Sequence, residues 1–254
     1  MRASVPVNLF ETLESRTLFA AAVLSHGVLR VVGDGAAANT IVVANSSDGA
    51  SVDVAINWTT ARGVAKNVIK SFPKTLGITQ IRVRGGRMGD LISVGQANGS
   101  LGIAALDLPA RVLGLAGNDV ITTAGGNDVI FAGAGNDMVG AGAGLDWLRG
   151  MAGDDALDGG GGNDAMFGGV GNDTLTGASG DDTLWGGFGD DSLNGGSGND
   201  SLGGVLGTNS LTGGNGQDTF HVRALTFNPT NDYDATEDIL DIVRRASEVA
   251  PPAA

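Results

Sequence analysis

Eleven aspartates recur on one nine-residue phase: Asp119, Asp128, Asp137, Asp146, Asp155, Asp164, Asp173, Asp182, Asp191, Asp200 and Asp218, with Asn209 on the single missing step. Carboxylates so arranged can act as general acid and base or as hard oxygen ligands for a cation. Acid–base catalysis needs one matched pair in a special environment, whereas a carboxylate repeated at constant phase suits ligation in series. The rest of the chain offers no catalytic partner set. It has two histidines, His26 and His221, and no HExxH, GxSxG or phosphate-binding glycine loop. No enzymatic activity is expected.

The elements that must position these carboxylates follow the same phase. From Gly114 to His221, 108 residues divide into twelve nonapeptides without insertion or deletion. Position four is always glycine, from Gly117 to Gly216, and position eight is always apolar, from Ile121 and Ile130 to Leu211 and Phe220. A flexible linker of this composition would have no need to hold glycine, aspartate and an apolar residue in lock-step. One apolar side chain per unit, at position eight, is thus available for burial. The position-five aspartates Asp154, Asp181 and Asp190 read as solvated carboxylates that raise the local negative potential.

The unit resembles the calcium-binding nonapeptide of RTX (repeats-in-toxin, haemolysin-type) proteins, Gly-Gly-x-Gly-x-Asp-x-apolar-x. The resemblance implies an all-β fold, a parallel β-roll (right-handed β-solenoid) of twelve units with six-residue turns and three-residue strands. It also implies calcium between turns eighteen residues apart, held by the eleven aspartates. The first two positions depart from the pattern at Thr123-Ala124, Ala132-Gly133 and Ala141-Gly142.

Charge supports that implication. The repeat holds fifteen aspartates against Arg149 alone, a net of −14, while the chain as a whole carries −13, so the remainder sums to +1. Such a stack repels itself unless cations are bound. Calcium accepts six to eight oxygens, which carboxylates and glycine-turn carbonyls supply. If each ion bridges unit k and unit k+2, twelve units offer up to about ten sites, the one between Asp191 and Asn209 being weaker. Extracellular calcium modules have dissociation constants of about 10⁻⁴ to 10⁻³ M, so each site at millimolar calcium contributes roughly 1 kcal/mol.

Four segments are expected: a leader or export segment over 1–26, a β-rich N-terminal extension or cap over 27–113, the roll over 114–221, and a C-terminal cap with a disordered tail over 222–254. Leu13 to Phe19 is similar to the LEPR-XLL motif near the start of exported bacterial proteins, departing from it at Ser15 and Phe19. In the extension, GVLRVV, NTIVVA, SVDVAI, ITQIRVRGG, DLISV and GIAALDL read as strands. Ile103 and Val112 fall on the phase of the inward ladder. GGRMGDLISV reads as a degenerate turn with Met88 in place of glycine and Asp90 as a turn residue. Phe220, Tyr233, Ile239, Leu240 and Ile242 are expected to cover the far end of the roll.

Without cysteine the chain has no disulfide or thiolate metal site, no apolar run reaches the eighteen residues of a membrane span, and the acidic balance disfavours nucleic acid. On the outer face of the even units, Phe131, Trp147, Phe167 and Trp185 form an aromatic stripe, either covered by the N-terminal segment or free to bind a surface, glycan or protein partner. The odd face carries a polar ladder of Thr174, Thr176, Ser192, Asn194, Ser210 and Thr212. The expected function is a secreted or cell-surface calcium-binding structural module that folds on calcium after export. The alternative is an adhesin that uses the aromatic stripe.

Overall fold

Alternation of β-branched and polar residues, then a nine-residue pulse of one apolar residue between glycine turns, produces strands throughout. A computed structural model describes residues 20–46, 49–59, 63–95, 106–223 and 239–243. The first nine strands are β1 (Ala21–Ser25), β2 (Val28–Val32), β3 (Asn39–Asn45), β4 (Ser51–Thr59), β5 (Ala65–Pro73), β6 (Gln80–Arg84), β7 (Leu91–Val94), β8 (Ala110–Ala116) and β9 (Val120–Thr122). The next six are β10 (Val129–Ala134), β11 (Met138–Ala143), β12 (Trp147–Ala152), β13 (Ala156–Gly161), β14 (Ala165–Val170) and β15 (Thr174–Ser179). The last six are β16 (Thr183–Phe188), β17 (Ser192–Ser197), β18 (Ser201–Gly203), β19 (Ser210–Asn215), β20 (Thr219–Arg223) and β21 (Ile239–Val243).

From β5 to β20 the strands alternate between two sheets, giving a parallel β-solenoid of about six turns. Sheet 1 runs β1-β2-β6-β8-β10-β12-β14-β16-β18-β20-β21 and sheet 2 runs β19-β17-β15-β13-β11-β9-β7-β3-β4-β5. Within the repeat, partners are eighteen residues apart, as in Ile130 with Leu148 and Leu157 with Leu175. Two apolar columns fill the space between the sheets. One stacks Val31, Val83, Val112, Ile130, Leu148, Met166, Leu184, Leu202 and Phe220, and the other Ile41, Ile92, Ile121, Val139, Leu157, Leu175, Leu193 and Leu211, all buried. Burying a side chain of this kind stabilises by about 1.5–3 kcal/mol. The inward ladder does begin before the first repeat, through Val112. Ile103 lies outside the described residues, and the seat beside Ile121 belongs to Ile92.

Apart from β9 and β18, the strands of the repeat are longer than three residues. In β10 the ladder covers Val129, Ile130 and Phe131, skips Ala132, and resumes at Gly133 and Ala134. After one step left out on both strands, pairing thus resumes through positions two and three, and only positions four to six remain as a turn. The turns stack as well, the Gly135 N–H donating to the Ala152 carbonyl at 2.8 Å. Gly135 has φ +131°, and a Cβ there would strike the Gly117 carbonyl one coil away. That close approach explains why position four never carries a side chain.

The N-terminal strands prolong both sheets and lie beyond the end of the roll. Two strands were not foreseen: β1, inside the segment read as a leader, and β5, an exposed antiparallel edge beside β4. Lys66 and Lys70 lie on that edge, where charge discourages pairing with other chains. The motif at residues 13–19, Tyr233 and the terminal tail fall outside the described residues. At the far end β21 pairs in parallel with β20 and extends sheet 1 by one strand. No helix among the described residues is long and apolar enough to cross a membrane.

Candidate metal centre

The position-six aspartates stand where each turn re-enters a strand, and the eighteen-residue register stacks them along both edges of the solenoid. On one edge the backbone N–H of Asp119 donates to Asp137 Oδ1 at 2.7 Å, Asp137 to Asp155 at 2.9 Å, Asp155 to Asp173 at 2.9 Å and Asp173 to Asp191 at 3.0 Å. The other edge repeats this from Asp128 to Asp146 at 2.7 Å, then through Asp164, Asp182 and Asp200 to Asp218 at 2.8 Å each. All eleven expected aspartates are brought into these two ladders, and every one is at most 3% exposed.

One oxygen of each carboxylate is thus engaged. The other is not: Oδ2 of ten of them, from Asp119 to Asp200, is buried without a hydrogen-bond partner. A buried unsatisfied charged group is costly. Burial pushes Asp119, Asp128, Asp155 and Asp164 up to about 7 and Asp182, Asp191 and Asp200 up to about 6, against the lowering effect of the backbone hydrogen bonds and, at Asp128, first of the Thr123 side chain. Asp137, Asp146 and Asp173 are raised for the same reason.

Position one supplies the space for that oxygen. A Cβ on Gly168 would fall on Asp173 Oδ2 and crowd the Gly186 carbonyl of the next coil. A carboxylate oxygen and a backbone carbonyl therefore face the same cradle, a donor set of hard oxygens suited to calcium. Among the described residues no three carboxylates or imidazoles converge on one point, so a cation's shell here needs oxygens besides carboxylates, such as backbone carbonyls and water. Asn209 accepts the Asp191 N–H at 2.9 Å but places an amide nitrogen over Gly204 where the other units have Oδ2.

Position five has a role that the sequence reading missed. Asn136 Oδ1 accepts the Asp154 N–H at 3.1 Å, and Asp154, Asp181 and Asp190 accept those of Asn172, Asn199 and Thr208 at 2.8, 2.8 and 2.7 Å. These exposed side chains form an outer ladder. It runs opposite to the inner one, so each turn is tied in both directions. Asn or Asp at nine of the twelve position-five sites was the available signal.

The inner ladder also continues past the repeat. Asp90 donates its N–H to Asp119 Oδ1 at 2.6 Å, and Asn39 donates its own to Asp90 Oδ1 at 2.6 Å. Asn39 Nδ2 donates to the same Oδ1 at 2.8 Å, and the Gly86 N–H donates to Asp90 Oδ2. Asp90, read from the sequence as a turn residue, thus sits in the ladder with both oxygens bonded to protein donors.

On the outer face of sheet 1, Phe131 meets Trp147 edge-on at 5.4 Å, Trp147 meets Phe167 edge-on at 6.3 Å, and Trp185 stacks on His221 at 5.3 Å. The N-terminal strands continue the sheet sideways, and Trp147 stays 37% exposed.

A profile of the RTX calcium-binding nonapeptide repeat matches four copies, over residues 111–139, 140–175, 167–202 and 203–223. No curated protein matches the chain. Residues 111–223, with their stacked aspartate turns and eighteen-residue coils, belong to the RTX calcium-binding nonapeptide repeats and form a calcium-binding structural module.

Proposed function

We propose that the Oδ2 atoms of the eleven ladder aspartates are calcium ligands, that each ion joins successive coils on one edge, and that their filling drives folding of the roll outside the cell. One observation carries this reading: ten buried carboxylate oxygens on one phase, those of the ladder aspartates from Asp119 to Asp200, lack a hydrogen-bond partner. A bound cation removes the cost of each and the repulsion along each edge. Fifteen aspartates against one arginine make the metal-free array self-repelling, so at low cytosolic calcium it stays unfolded and at millimolar calcium it closes. The module is structural and performs no chemistry on a substrate.

Far-UV circular dichroism during a calcium titration tests the reading. A cooperative gain of strand signal at millimolar calcium supports it, and an unchanged spectrum up to about ten times the expected dissociation constant ends it.

A further inference from the structure

Sheet 1 carries two outward rows of side chains along the solenoid. Arg30, Arg82 and Arg111 stand opposite one another on β2, β6 and β8, and that row then passes through Val129 to Trp147. The second row places Arg84 in line with Leu113, Phe131 and Arg149. All five arginines are exposed. From β2 to β20 neither row contains Asp or Glu, although the chain has 28 acidic residues against 15 basic ones. The matching rows of sheet 2, from Thr40 and Val42 to Ser210 and Thr212, hold no arginine or lysine.

Positive charge is therefore sorted onto one face of an acidic molecule. Like charges directly opposite destabilise a sheet, and these arginines repeat every 4.7–4.9 Å or so. No carboxylate among the described residues answers them. Arg82 Nε donates to Gln80 Oε1 at 3.0 Å, and the Arg111 guanidinium lies over the Phe131 ring at 5.4 Å. An external anion would relieve the repulsion.

The shape and chemistry of the face narrow the choice of anion. Eight strand spacings from β2 to β20 make a strip roughly 38 Å long, fit for an extended polymer. Guanidinium forks match carboxylate and sulfate groups. The strand spacing is close to the length of one sugar unit, and the aromatic stripe beyond the arginines offers apolar surface to sugar rings. Nucleic acid suits it less, because a strand carries a phosphate about every 3.4 Å, closer than the spacing of the arginines along the rows.

We propose that this face binds an acidic polysaccharide, with its carboxylate or sulfate groups on the arginine rows and its sugar rings along the aromatic stripe. The inference rests on the proposed function only in needing a folded roll. The full chain in millimolar calcium is tested for binding to dextran sulfate, polygalacturonate, neutral dextran and single-stranded DNA, with circular dichroism read on the same samples. Binding to both acidic polymers and not to neutral dextran is expected, falling at least about tenfold in Arg82→Ser/Arg111→Ser at unchanged dichroism. Trp147→Ser should weaken it severalfold. Equal binding by the arginine variant, equal binding to neutral dextran, preference for DNA, or no binding overturns the proposal. The dichroism reports separately on calcium-driven folding.

Discussion

The strands before the repeat and those within it share one ladder but satisfy its carboxylates differently. Asp90 has Asn39 and the Gly86 amide on its two oxygens, whereas Asp119, the next member, has its Oδ2 alone. The cores differ in the same sense. Leu29, Val31, Ile41, Val43, Val52, Val54, Ile56, Ile81 and Val83 crowd the N-terminal strands, while each repeat contributes one large buried apolar side chain, joined in two units by the small Ala132 and Ala141. One geometry is thus built in two ways: the first closes on its own groups, and the second leaves one oxygen per turn for something else. The N-terminal part is expected to stay ordered without metal and to present a ready edge on which the first coils of the roll form.

The largest effect that would sharpen this contrast concerns pH. In chelator, Asp119, Asp128, Asp155, Asp164, Asp182, Asp191 and Asp200 are raised by burial to about 6–7 from an ordinary 3.8. Burying them charged costs stability above that range, and the cost disappears as pH falls through the folded value toward the unfolded one. Metal-free protein should therefore gain strand signal between pH 8 and pH 5, while calcium affinity falls over the same interval. Circular dichroism across that range, with and without chelator, checks both signs.

Asn39→Ala removes one side-chain donor from Asp90 and should cost the N-terminal part about 1–3 kcal/mol in thermal unfolding without calcium. The same change should leave the calcium midpoint of the roll nearly fixed. A loss in the roll alone would break the distinction between the two regions.

Asp164→Asn keeps an acceptor for the Asp146 N–H but deletes the charged second oxygen. It should lower the gain from calcium by roughly 1 kcal/mol and make the metal-free roll slightly more ordered, as titration calorimetry and dichroism would show. The smallest effect is expected at position two of the repeat. Ala178 holds φ +76° there, beside Leu115 at +94° and Met151 at +90°. Ala178→Gly should stabilise the calcium-bound roll by about 0.5–1 kcal/mol in thermal melts.

Much of this was legible from the residues. The nine-residue phase of Asp, Gly and the apolar position fixed the coil, the inward column and the carboxylate edges, because a solenoid repeats its neighbours. The ladder's extension through Asp90 and Asn39 was not legible. The β4–β5 hairpin and the segment after Val94 stretch the spacing from eighteen residues to 51 between Asn39 and Asp90 and 29 between Asp90 and Asp119. The exposed edge β5 was missed because it buries too little to alternate clearly. Position five was visible as a run of Asn and Asp, yet its acceptor role needed the stacked amides of the next coil. The arginine rows draw on strands far apart in sequence and emerge only with the register.

Hydrogen exchange of the full chain, with calcium and after exhaustive chelation, tests the central claim most directly. Amides in β2 to β7 should be protected in both states, and those from Asp119 to Asp218 only with calcium. Equal protection of the roll in both states would contradict it.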